Sequence, residues 1–282
     1  MRLTLCNEVI RELDFPSQCQ LAADLGYDGL EVAPFTLSDD PCTLSSKIRR
    51  DYRIMAEDAG IAITGLHWLM NAPGGISLTS KDPAVQAKTR DHMLGLVELC
   101  HDLGGQVLVH GSPGQRPLGD ADSPAQAQEI ALGHWTAAGD AAEQAGLIYC
   151  IEPLAPVLTD FVNTVEQAQE LLALSGSKGL KTMLDTSAAW GGESERPCDV
   201  LAKHIPSGNI AHIHFNESNR RAPGQGEHVF LPIVRVLAKH GYDGWIGIEP
   251  FDYHPDGSTA AALAAGYVLG LFEALHQEGS CR

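Results

Sequence analysis

The chain has 282 residues, 44% of them hydrophobic, enough to bury a substantial core in one domain spanning 1–282. Its 36 acidic and 19 basic residues give a formal charge of −17, which opposes binding to nucleic acid and anionic membranes, and the one basic cluster, Arg220-Arg221, is too small for a nucleic-acid groove. Seven scattered cysteines (Cys6, Cys19, Cys42, Cys100, Cys150, Cys198, Cys281) without C-x-x-C spacing, no basic-then-apolar leader and no apolar run near about 18 residues read as a soluble cytoplasmic protein with reduced thiols.

Eight apolar, strand-like runs follow one another: Leu3–Cys6, Gly29–Val32, Ile61–Leu66, Gln106–Val109, Leu147–Ile151, Leu180–Leu184, Ile210–Ile213 and Trp245–Ile248. Helix-period segments such as Val85–Leu103 and Ala125–Ala145 lie between them. Alternating strand and helix signals predict a parallel sheet with helices outside, and eight units in this length predict an α/β fold of one closed (β/α)8 TIM barrel. A doubly wound open sheet is the alternative, weakened because no G-x-G-x-x-G follows the first strand. One echo, Leu25-Gly-Tyr-Asp-Gly29 and Lys239-His-Gly-Tyr-Asp-Gly244, reads as the same helix–turn–strand solution used twice. Gly/Pro-rich stretches at Asn71–Gly75, Gly111–Gly119, Gly191–Pro197 and Ala222–Gly226 each follow a strand, where a barrel places its active-face loops.

Four consecutive runs end in chemistry-bearing residues: Glu152, Asp185, His214 and Glu249. Parallel barrel strands end on one face, so three carboxylates and an imidazole should converge there. That donor set suits one hard divalent ion, Mn²⁺ first, with Mg²⁺ and Co²⁺ compatible and Zn²⁺ less so. His212, two residues before His214, points the same way in an extended strand and should pack one layer deeper. Glu152 and Glu249 can also act as an acid/base pair, moving protons on a carbon beside a carbonyl through an enediolate. Glu31 ends the second strand and either reaches substrate or alternates outward. His67-Trp68 is either a sugar contact, with Trp68 stacking on the ring, or a packed pair. His110 reads as a satisfied buried histidine. Arg116 either binds an anionic group or faces solvent. Arg221 reads as a solvated partner of surface acids. Ser112 lacks a His–Asp arrangement that would make it a nucleophile.

The motifs Gly29-Leu-Glu-Val32, Gly65-Leu-His-Trp68, Gly111-Ser-Pro113, Ile151-Glu-Pro-Leu154, Asn163-Thr164, Leu184-Asp-Thr186, His212-Ile-His214, Asn219-Arg-Arg-Ala-Pro-Gly-Gln-Gly226 and Gly247-Ile-Glu-Pro-Phe251 together resemble the xylose-isomerase-like sugar isomerases and epimerases. The resemblance is nearest to the ketose 3-epimerases and covers nearly the whole chain. It implies a metal held by Glu152, Asp185, His214 and Glu249, the two glutamates as acid and base, and Arg220 on substrate oxygens. It also implies a small-molecule sugar partner and a dimer or tetramer. Two positions depart from that pattern: Ala188 and Leu158 stand where those epimerases carry a substrate-binding His and Glu. A free ketohexose is therefore a doubtful substrate, with Trp190, His67 or Arg116 as candidate replacement contacts. The alternatives are a keto-sugar or cyclic-polyol dehydratase on the same site, an endonuclease-IV-like repair enzyme, disfavoured by charge and too few histidines, and a non-catalytic sugar-binding barrel.

Overall fold

In the computed structural model, which describes residues 1–280, eight parallel strands close into a barrel in sequence order. They are β1 (Arg2–Cys6), β2 (Gly29–Val32), β3 (Ala62–Leu66), β4 (Val107–His110), β5 (Ile148–Ile151), β6 (Leu180–Asp185), β7 (Ile210–Phe215) and β8 (Trp245–Ile248). β1 closes on β8 with Arg2 opposite Trp245. Each strand lies within a residue or two of its expected run, and the extensions matter: β6 reaches Asp185 and β7 passes His214, so both donors sit at strand ends.

The helices start where side chains can satisfy their free N–H groups. Asp14 caps α1 (Phe15–Asp24), Ser45 caps α2 (Ser46–Asp58), Asp82 caps α3 (Pro83–Leu103), Ser123 caps α4 (Pro124–Gln144) and Thr164 caps α5 (Val165–Ser175). After β6 come α6 (Thr186–Gly192) and α7 (Pro197–His204), followed by α8 (Leu231–Lys239) and α9 (Gly257–Ser280). One apolar core fills the space between strands and helices, with Leu3, Leu5, Leu30, Leu66, Ile213 and Ile248 among its fully buried side chains.

The repeated Gly-Tyr-Asp-Gly segments do the same job. Gly26 and Gly241 both take a left-handed turn, with φ of 85° and 66°, out of a helix. The hydroxyls of Tyr27 and Tyr242 then donate to backbone carbonyls, of Ala261 and Trp245. The six described cysteines are free thiols, and Cys281 lies outside the described residues.

By length and composition α9 is apolar enough to cross a membrane, with mean hydropathy 1.4 over Gly257–Gln277. Alanines and the leucines among them produce that value, and Ala260, Ala261, Ala264, Ala265 and Val268 are buried against the barrel. A single such helix is weak ground for a membrane span.

Candidate active site

Glu152, Asp185, His214 and Glu249 meet at the C-terminal end of β5, β6, β7 and β8. All four are buried, and one donor atom from each lies within 4.8 Å of the others. The loop after β4 makes room for this. A Cβ at Gly111 would overlap Glu152 Oε2. Gly111→Ala should therefore leave the fold intact, because a glutamate side chain can swing, yet displace the carboxylate. The expected result is a nearly unchanged thermal midpoint with strongly weakened divalent-ion binding in a titration; unchanged ion affinity would show that Glu152 does not need this position.

Asp185 Oδ1 accepts the Ala188 N–H at 2.6 Å, capping α6, while Oδ2 has no partner. Glu249 Oε1 is also buried without a partner. His214 is held from both sides: Nδ1 lies 3.0 Å from Glu249 Oε2, and Nε2 lies 3.1 Å from Glu31 Oε1. With Nε2–H donating to Glu31, loss of the proton that Nδ1 directs at Glu249 Oε2 frees an Nδ1 lone pair for the cluster.

Electrostatics favour a cation at this cluster. Burial, then the negative charge of Glu249, holds the Glu152 carboxyl protonated well above the usual range. Asp185 is pushed up to about 7 by burial and then by Glu249. For His214 burial favours the neutral ring, but Glu249 and Glu31 prevail and raise it well above the ordinary value. Three crowded carboxylates, two of them with unpartnered buried oxygens, beside one imidazole fit a hard divalent ion.

Above the cluster opens a cavity of about 510 Å³, lined by residues of the loops that follow β3 to β8. Trp68 and Arg220 stand on its wall. Both have positive φ, 50° and 68°, where a non-glycine residue is strained. Phe251 links them: its N–H donates to the Arg220 carbonyl at 2.8 Å, its ring stacks on Trp68 at 5.8 Å, and the Arg220 guanidinium lies 5.1 Å from its centroid. Trp190, Leu158 and Ala188 line the cavity too.

Three residues expected at the substrate are placed behind the wall instead. Glu31 is fully buried inside the barrel, accepting from His212 at 2.8 Å and His214 at 3.1 Å; it orients the imidazole rather than touching the cavity. Its carboxyl is held well below the usual range: burial opposes this, but His212 and His214 outweigh it. His67 is fully buried and pairs through Nε2 with Glu8 Oε2 at 2.7 Å. Arg116 neither meets solvent nor lines the cavity. It donates from Nη1 to the Glu152 carbonyl at 2.9 Å, fixing that backbone from behind. His212 does lie deeper, as expected, but as a partner of Glu31. His110 is buried as expected but only half satisfied: Nδ1 meets the Trp135 indole N–H and the Tyr149 hydroxyl, while Nε2 has no partner. Arg221 pairs with Asp252 at the surface.

Sequence reasoning missed Glu8 and Phe251. Glu8, two residues past the end of β1, is an acid flanked by apolar Val9 and Ile10 and almost fully buried; that flanking was a usable signal. Phe251 stood in the last motif with nothing local to single it out.

A barrel with carboxylate and imidazole donors at its strand ends defines a class, and comparison with known proteins specifies it. The chain belongs to the xylose isomerase-like TIM barrel family, which it matches over residues 19–268. It is similar to the D-psicose 3-epimerase of Ruminiclostridium cellulolyticum, at 24% identity over 85% of this chain and 79% of that one. It is also similar to the D-psicose 3-epimerase of Agrobacterium fabrum, at 27% identity over 84% of this chain and 79% of that one. In fold it resembles the crystal structure of D-psicose 3-epimerase with D-tagatose from Clostridium cellulolyticum H10, with TM-score 0.83, 19% identity, and coverage of 96% and 99% of the two chains.

Proposed function

We propose that the chain is a divalent-metal-dependent sugar isomerase or epimerase that moves a proton on and off the carbon beside a ketone. The class is supported by the relatives, which are sugar epimerases. The metal and the proton transfer are supported by one observation above all: four buried donors converge, and the three carboxylates among them, two of them glutamates, form the floor of a cavity.

In this reading Glu152, Asp185, His214 and Glu249 hold the ion. When bound, it would supply Lewis-acid polarisation of the ketone and its neighbouring hydroxyl. Glu152 and Glu249 exchange the proton, one removing it and the other returning it, which inverts a centre or shifts the carbonyl. Glu31 holds the His214 ring in one orientation, and Arg116 holds the Glu152 main chain. Arg220 donates to sugar oxygens. Trp68 and Phe251 offer aromatic faces to the sugar's C–H surface and keep water from the reacting carbon.

The test is a screen of ketoses, ketose phosphates and keto acids with Mn²⁺, Mg²⁺ or Co²⁺ in D₂O. Deuterium at the carbon beside the carbonyl, with an epimer or isomer as product, supports the proposal. An ultraviolet-absorbing enone or enol would instead indicate the dehydratase alternative.

Leu158 and Ala188 line the cavity, so their lack of hydrogen-bonding groups bears on the choice of sugar. A hydroxyl buried against either gives up water without a partner, at roughly 1–3 kcal/mol each. Free D-fructose and D-tagatose should therefore be poor substrates. Measured kcat/KM for them at or above that of every deoxy or shorter analogue would overturn this expectation.

A further inference from the structure

We propose that the sugar carries an apolar substituent, aryl or alkyl, at the end remote from the carboxylates, and that the outer half of the cavity is its binding site. The inference rests on the isomerase reading for the chemistry, and on the cavity walls for the substituent.

The cavity is divided. Its floor holds Glu152, Asp185 and Glu249, and Ser187, Ser218, Arg220 and the indole N–H groups of Trp68 and Trp190 are its other polar side-chain groups. The rest of the wall is dominated by Leu154, Val157, Leu158, Ala188, Trp190 and Phe251. Apart from the Trp190 indole N–H, these side chains offer a sugar hydroxyl nothing to bond, whereas an apolar group gains by leaving water. Val157 and Leu158 sit on the loop between β5 and α5 and are 89% and 50% exposed. Two adjacent large aliphatic side chains left open at the mouth of a site are explained by a ligand that covers them. Trp190 is a fixed surface, stacked on His228 with centroids 3.7 Å apart and set edge-on to Phe230. At about 510 Å³ the cavity is also of a size that encloses a drug-sized ligand, roughly 300–1,000 Å³, and is roomy for one hexose.

The chemistry restricts where the substituent is attached. The ketone must be free, so the group is linked through an oxygen or carbon away from it. The proton removed from the neighbouring carbon returns to that carbon or the next. The bond to the substituent is not broken, and no co-reactant is consumed.

The test compares 6-O-benzyl-D-fructose with D-fructose on the Mn²⁺-loaded protein. Calorimetry gives binding, and deuterium uptake from D₂O by mass spectrometry gives chemistry. The benzyl ether should bind at least about tenfold tighter, as expected for burying an aromatic ring on apolar walls. Leu158→Ser and Trp190→Ala should each bring the two dissociation constants together. Equal or tighter binding of D-fructose overturns the inference, and so does a benzyl preference that survives both substitutions, since the ring then sits elsewhere. The underlying reading fails separately. A benzyl preference lost in the variants, with no deuterium entering either sugar, keeps the apolar subsite and removes the isomerase chemistry. Deuterium uptake from D-fructose without a benzyl preference does the reverse.

Discussion

Glu249→Gln should lower turnover by roughly 10²–10⁴-fold while leaving part of the divalent-ion binding in place. The amide keeps an oxygen for the ion and a group of nearly the same shape for the His214 ring, whose Nδ1 lies 3.0 Å from Glu249 Oε2. What it loses is the ability to take up and release a proton. The decisive measurement is kcat beside the metal content of the purified variant, on whichever sugar the screen identifies. A fall of less than about tenfold, with metal retained, would make Glu249 a ligand and nothing more. Glu152→Gln should behave similarly, with the proton-transfer direction that depends on it suffering more.

Removing divalent ions should destabilise the protein, and more so as the pH rises. A carboxyl whose folded pKa is raised is neutral in the fold over a range where it is already ionised in the unfolded chain. The unfavourable difference is absent below its ordinary value of about 4 and complete above the folded value. Asp185, raised to about 7, and Glu152, raised well above the usual carboxylate range, both follow this course. His214 adds to it: its raised value gives stability fully present below about 6.5 and lost as the pH climbs through the folded value. Glu31 is depressed, so its contribution is already complete above about 4.5 and offsets nothing higher up.

The cluster's own contribution should therefore fall between about pH 5.5 and pH 8. The buried histidines His110, His134 and His212 act in the opposite sense, since their lowered values favour the fold as the pH rises. The check is the melting temperature of the chelated protein against that of its Asp185→Asn, Glu152→Gln double variant, which should be the more stable of the two by a margin that grows with pH. Mn²⁺ reverses the trend, because the ligands must be deprotonated to bind it and affinity rises with pH. At a hundredfold excess over Kd the ion adds about 2.7 kcal/mol, a shift of a few degrees in a domain of this size. The gain from Mn²⁺ should be larger at the higher pH. A pH-independent gain from Mn²⁺, or an equal gain in the double variant, would mean that the cluster does not bind the ion.

The strands and the four donors could be read directly. Short β-branched runs bounded by Gly, Pro and polar residues specify strands, and their regular alternation with capped amphipathic segments leaves the closed barrel as the economical solution. Once parallel strands are in sequence order, the last residues of β5 to β8 and those just beyond them must share a face. The spacing of Glu152, Asp185, His214 and Glu249 along the chain carried that information. It is local, since each donor is tied to the end of its own strand.

The orientation of Glu31, His67 and Arg116 was not local. All four residues of β2 are buried, because one face of a barrel strand meets the interior and the other meets the helices. No polar-out alternation then says which way Glu31 points, and its partners His212 and His214 are some 180 residues away along the chain. His67 finds Glu8 across 59 residues, and Arg116 reaches the Glu152 carbonyl across 36. The sequence by itself determined the barrel and the face where the four donors gather. Only closure of the barrel decided which polar residues touch the cavity and which hold the donors from behind, because that choice depends on contacts between strands far apart in the chain.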